Sequence, residues 1–191
     1  MTSISSIALT GLFLWTGAGV PTNWVSQPIL SSTNKTQETI SVRLTGYNAV
    51  PEQTDSDPTM TASGAFSNPD VIAARSRDLA ETLPYGTVIV FETADKDNSC
   101  GLDVVDHLIG YRVVADAMHA RKQNQVDIMF DMADTVQIGV SGNARKPTNP
   151  AVALGVCKNV SIRVVGKIEV KDIPATQAEL ARLVKHTFAV R

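Results

Sequence analysis

Tyr111–Asp131, YRVVADAMHARKQNQVDIMFD, decides how the rest of the chain reads. Two short β-branched runs flank a basic, amide-rich turn, and each carries an aspartate, Asp116 in the first and Asp127 in the second. Side chains alternate across a strand, so Val126, Ile128 and Phe130 share one face and Asp127, Met129 and Asp131 the other. The same alternation sets Asp116 on the face of Val114 and Arg112. A carboxylate among apolar strand residues is costly to bury unless it is paired or protonated. That cost makes such an acid useful for proton transfer near neutral pH. The stretch predicts a carboxylate site on a β scaffold.

Around this centre, 191 residues with 43% hydrophobic content suffice for one full core, and the length favours a single domain with extensions. The balance of 17 basic against 19 acidic residues leaves a net charge of −2. With no block of like charge, nothing points to nucleic acid as a partner. Cys100 and Cys157 are too few for a disulfide framework and lack metal-ligand spacing. They either form one bridge in an oxidising compartment or serve as small apolar residues. His107 and His119 read as solvated loop residues without zinc spacing, so neither a metal nor a cofactor is expected.

Residues 1–20 contain Ile7–Trp15, IALTGLFLW, followed by Thr16-Gly17-Ala18-Gly19. This resembles the apolar and small-residue parts of a secretory signal, although no Lys or Arg precedes Lys35. The run is too short to span a bilayer, so no integral membrane span is expected. Residues 21–37, rich in Ser, Thr, Asn and Pro, have linker composition. Export to the periplasm, envelope or exterior is the expectation.

From residue 38 to 170 the chain reads as short strands with turn punctuation: Thr39–Tyr47, Val71–Asp78, Leu83–Glu92, the two central runs, Thr135–Val140 and Asn159–Val170. Gly166 marks a bulge or bend in the last of these. Ala94–Gly101 and Ser141–Pro150 read as turn or loop clusters. In the final segment, 171–191, Pro174–Phe188 is the one clear helix. Thr176 and Glu179 have capping-box spacing, and Leu180, Leu183, Val184 and Phe188 recur at helical intervals. Many short strands with one terminal helix predict a small closed barrel.

An ordered series of short matches then resembles the three-Asp, or 3D, domain. This is a double-psi β-barrel related to the C-terminal part of membrane-bound lytic transglycosylase A, and more distantly to rare lipoprotein A and the expansins. The matches are Leu44-Thr45-Gly46-Tyr47, Thr61-Ala62-Ser63-Gly64, Ile72 to Leu79, Pro84-Tyr85-Gly86-Thr87-Val88, Asp116 to Asp127, and Ala153-Leu154-Gly155-Val156. They span Val42 to Val165. The family's usual Asp-Thr-Gly-Gly turn is replaced here by Asp116-Ala117-Met118-His119, which together with Arg121 resembles a variant Asp-x-Met-x-x-Arg pattern. The resemblance implies a mainly β fold, a six-stranded double-psi β-barrel with short helices and a C-terminal α-helix.

The resemblance also implies an activity, cleavage of peptidoglycan glycan strands with formation of a 1,6-anhydro end. The three aspartates correspond to Asp78, Asp116 and Asp127. Asp127 is expected to be the acid/base, and Asp116 to raise its pKa or position substrate. An acid of this kind needs a pKa well above the ordinary value of about 3.9. Burial among Val126, Ile128 and Phe130 and a second carboxylate both push that way, whereas a cation beside Asp127 opposes it. Tyr47, Thr61, Ser63 and Gly64 are candidate contacts for sugar hydroxyls, and Arg121 or Lys122 can orient a carboxylate. The competing expectations are a carbohydrate-binding barrel without catalysis, as a module of an envelope or phage-associated assembly, and an intracellular or structural domain that only shares the barrel.

Overall fold

A computed structural model describes residues 39–52, 57–94, 100–139 and 145–188. The signal-like segment at 1–20 and the linker at 21–37 lie outside those residues. Among the described residues eight strands form: β1 Thr39–Asn48, β2 Ile72–Arg75, β3 Thr87–Ala94, β4 Tyr111–Ala117, β5 Gln125–Phe130, β6 Val136–Gly139, β7 Arg145–Thr148 and β8 Cys157–Lys167. Six of them close a mixed barrel in the order β1-β5-β2-β4-β3-β8. The pairs β1·β5 and β2·β4 are parallel and the rest of the ring is antiparallel. Strands distant in sequence therefore interleave around the ring, as expected of a double-psi barrel.

The strands are rich in Val and Ile because both faces of the sheet are covered. One face carries Val42, Leu44, Ala73, Ile89, Val114, Val126 and Ile128. The other carries Ile72, Ala74, Val88, Val113, Ala115 and Met129. Gly46 lies where β1 closely approaches its neighbours: a Cβ there would come within 2.8 Å of the Phe130 ring and 2.9 Å of the Ala151 backbone. On β8, Val88 pairs with Gly166 and Ile89 with Val164, so the expected irregularity at Gly166 is present and Val165 is the extra residue.

The terminal helix, α3, runs Gln177–Phe188. Its capping box is formed: the Glu179 amide donates to Thr176 Oγ1 at 3.3 Å and the Thr176 amide to Glu179 Oε2 at 3.2 Å. Leu180 and Val184 bury the inner face against the second cluster.

Three expectations are corrected. The stretch before Tyr111 contains a helix, α1 Leu102–Ile109, with Val105 and Ile109 buried. Its two turns are rich in Val and Ile, so the short pattern does not separate helix from strand. Ser141–Pro150 is not a plain loop: β7 lies within it and pairs antiparallel with β6. It leads into the short helix α2 Pro150–Leu154, capped by Asn149, whose Oδ1 accepts from the Ala151 amide at 3.0 Å. The last strand ends at Lys167, and Val170–Asp172 forms a 3-10 turn. Cys100 and Cys157 are bonded to each other, with Cα atoms 5.2 Å apart. The bond ties the approach to α1 to the start of β8.

Candidate active site

The central stretch supplies both the brace and the site. Arg112 is 1% exposed. Among the described residues no carboxylate bonds its guanidinium, which donates instead to backbone carbonyls of Leu108 at 2.6 Å, Ile109 at 2.7 Å, Met129 at 3.1 Å and also Pro69. Burial pulls its pKa down to about 10, so it stays a cation at neutral pH.

Strict alternation would place Asp116 with Val114. The structure does otherwise, and the reason is a bulge. Ala73 aligns with Val114 but Ala74 aligns with Asp116, so Ala115 is skipped in the β2·β4 ladder. Asp116 thereby moves to the face of Ala74. On the other side of β2, Ala74 is the register partner of Asp127, and across β1 Asp127 aligns with Thr45. Thr45, Asp127, Ala74 and Asp116 form one cross-strand row on one face.

The Asp116 carboxylate accepts three hydrogen bonds: from the Tyr47 hydroxyl at 2.8 Å on Oδ2, and from the amides of Ala62 at 2.9 Å and Ala117 at 2.8 Å on Oδ1. Tyr47, expected as a sugar contact, is buried with its hydroxyl on Asp116. Burial, and then Asp116, push its phenol well above the ordinary range, so it remains a donor. The Thr61–Ala65 loop supplies the Ala62 amide. The Thr61 amide and hydroxyl both donate to the Ala65 carbonyl, at 2.9 and 3.2 Å, and the Ser63 amide donates to the Ala115 carbonyl at 3.2 Å. Gly64, at φ +82°, turns this loop. Thr61 is therefore turned inward. Ser63 and Gly64 line an open groove of ≈ 560 Å³ with Phe66, Asn68, Lys171 and Pro174. Phe66 is 69% exposed.

Asp127 has a different environment. Thr45 Oγ1 donates to its Oδ1 at 2.8 Å, and the Gln125 amide nitrogen donates to Thr45 Oγ1 at 2.7 Å. Burial raises the Asp127 pKa to about 6, with Asp116 adding to the rise; the Thr45 hydroxyl and Lys122 pull it down. The cation opposes the shift, as expected, but desolvation outweighs it.

Asp78 does not join the row. It is exposed on the 3-10 turn Arg77–Leu79, and its Oδ2 accepts from the Asn124 amide at 2.8 Å. The Ser76 hydroxyl, first, and the Asn124 amide hold its pKa below the ordinary range. It pins the turn ahead of β5, where Asn124 takes a φ of 45°. Arg121 is exposed on the same β4–β5 turn, its amide 3.2 Å from His119 Nδ1.

Thr45 and Gln125 are the functional candidates that sequence reading missed. Gln125 and Asp127 are two apart on one strand, so alternation alone puts them on one face. Thr45 joins them only through the parallel pairing of β1 with β5.

Among the described residues, no group of three His, Cys, Asp or Glu side chains could hold a metal ion, and no helix is long and apolar enough to cross a membrane. No family model matches the chain, and no curated protein matches it either.

Proposed function

We propose that this barrel is a cell-wall-active enzyme of the 3D-domain type that cleaves peptidoglycan glycan strands as a lytic transglycosylase. The observation that carries the reading is the row Asp127–Ala74–Asp116, in which one carboxyl group has its pKa raised to about 6 beside a second one. A single acid/base can run the whole reaction. Protonated Asp127 gives its proton to the glycosidic oxygen as the C1–O bond breaks. The sugar's 6-hydroxyl then attacks C1, closing the anhydro ring, and its proton returns to Asp127. No water is added, and Asp127 ends as it began. Asp116, fixed by Tyr47, Ala62 and Ala117, raises the proton affinity of Asp127 and offers negative charge toward a developing oxocarbenium ion.

Two further features suit this reading. The groove beside the Thr61–Ala65 loop presents the exposed Phe66 ring, on which a sugar face can stack. The Cys100–Cys157 bond suits an oxidising compartment, and so a periplasmic or extracellular location.

A non-catalytic glycan-binding barrel is the second reading. It is favoured by the inward-turned Thr61 and Tyr47 hydroxyls and by the side chains of Ala117-Met118-His119 where the family turn has Thr-Gly-Gly. Incubation of purified protein with sacculi separates the two. The enzyme releases 1,6-anhydro-muropeptides detectable by mass spectrometry, and Asp127→Asn lowers release by at least about 100-fold. Saturable binding to sacculi without any product refutes catalysis and leaves the binding module.

A further inference from the structure

We infer that Thr45 and Gln125 are positioning residues that decide which oxygen of Asp127 carries the exchangeable proton. This rests on the acid/base reading of Asp127 and adds to it the identity of the donating atom. The geometry is directional. The Gln125 side chain, 2% exposed, has no freedom to seek water, and its amide N–H occupies a lone pair of Thr45 Oγ1 at 2.7 Å. A threonine hydroxyl has one proton. With the Gln125 donor on the oxygen, that proton points at Asp127 Oδ1, 2.8 Å away. Oδ1 is thus an acceptor in both protonation states, so the acidic proton sits on Oδ2. Among the described residues no hydrogen bond engages Oδ2, which leaves it for substrate.

The relay is itself anchored. The Gln125 amide donates to Ser76 Oγ at 3.0 Å, the Ser76 amide donates to the Gln125 carbonyl at 2.8 Å, and Asp78 holds the amide of Asn124, the residue before it. Asp78, the aspartate outside the row, therefore serves the site through the start of β5 and not by touching substrate.

The charged and titratable groups facing Asp127 come from three elements: Asp116 on β4, Lys122 on the β4–β5 turn and Tyr47 on β1. β2 presents only Ala74 at that register position. All of these are unchanged when Thr45 is altered, so the contribution of the relay can be read separately.

The test is a carbon-detected NMR titration of the Asp127 side-chain carboxyl in the full chain, which needs no turnover. Thr45→Val keeps the β-branched shape and removes the donor; the expected result is a titration midpoint about one pH unit above wild type. Thr45→Ser restores the wild-type midpoint. Gln125→Met, which frees the Thr45 hydroxyl to turn away, moves the midpoint in the same direction by a smaller amount. A purely structural role would lower stability without this ordered pattern. An unchanged midpoint in Thr45→Val, or a shift that Thr45→Ser fails to reverse, overturns the inference. Absence of anhydro product from wild-type protein with the titration pattern intact refutes the lytic activity instead, so the two failures are distinguishable.

Discussion

The raised pKa of Asp127 makes a sharp prediction about folding, because a displaced pKa is also a statement about stability. Unfolded, this side chain ionises near 3.8; folded, it does so at about 6. Its folded pKa is raised, so the folded state binds the proton more tightly than the unfolded state does. The contribution of Asp127 is most favourable below about pH 3.8, declines as pH rises toward 6, and stays at its least favourable level above that. A difference of about two pH units corresponds to about 3 kcal/mol. Because the side chain is only half-buried, solvent screening reduces the expected range to about 1–3 kcal/mol. Asp127→Asn keeps the shape, can still accept from Thr45, and never ionises. The expected outcome is therefore a variant similar to wild type at pH 4 and about 1–3 kcal/mol more stable at pH 8. Urea unfolding at both pH values, without reductant, measures it, and the difference between variant and wild type cancels the titration of the other carboxylates. A wild-type protein that gains stability over the variant as pH rises, or a difference equal at both pH values, refutes the reasoning. In that event Asp127 is an ordinary ionised aspartate and the acid role loses its physical basis.

Reduction of the Cys100–Cys157 bond, or its replacement by Cys100→Ala with Cys157→Ala, opens a loop of 57 residues. This is expected to cost about 4 kcal/mol. In thermal unfolding the midpoint should fall by about 8–16 °C for a chain of this size. At the other end of the chain, Thr176→Ala removes one half of the α3 capping box and should cost about 1 kcal/mol in urea unfolding, with Thr176→Ser close to wild type.

The parts of the fold that were legible in the sequence are those in which local chemistry dictates structure. The capping box at Thr176 and Glu179 forms because both partners lie within one helical turn. β1, β4 and β5 form where β-branched runs predict them, and the irregularity near Gly166 falls where glycine signalled it. α1 escaped notice because eight residues are too short for the spacing of Leu102, Val105 and Ile109 to separate helix from strand. The β6–β7 pair escaped because its second strand, RKPT, is exposed and nearly without apolar residues.

The site divides in the same way. Residue types and strand alternation alone set Asp127 opposite the apolar face of β5 formed by Val126, Ile128 and Phe130. They placed Asp116 on the wrong side, because alternation assumes an unbroken ladder and Ala115 breaks it. The contacts of Thr45 with Asp127, of the Tyr47 hydroxyl with Asp116 and of the two cysteines with each other join residues 57 to 82 positions apart. No local preference encodes such contacts; they exist only once the ring of strands has closed. The sequence determined which groups could act as acids, and the tertiary structure decided which of them face one another, because register and bulges follow from how the whole barrel packs.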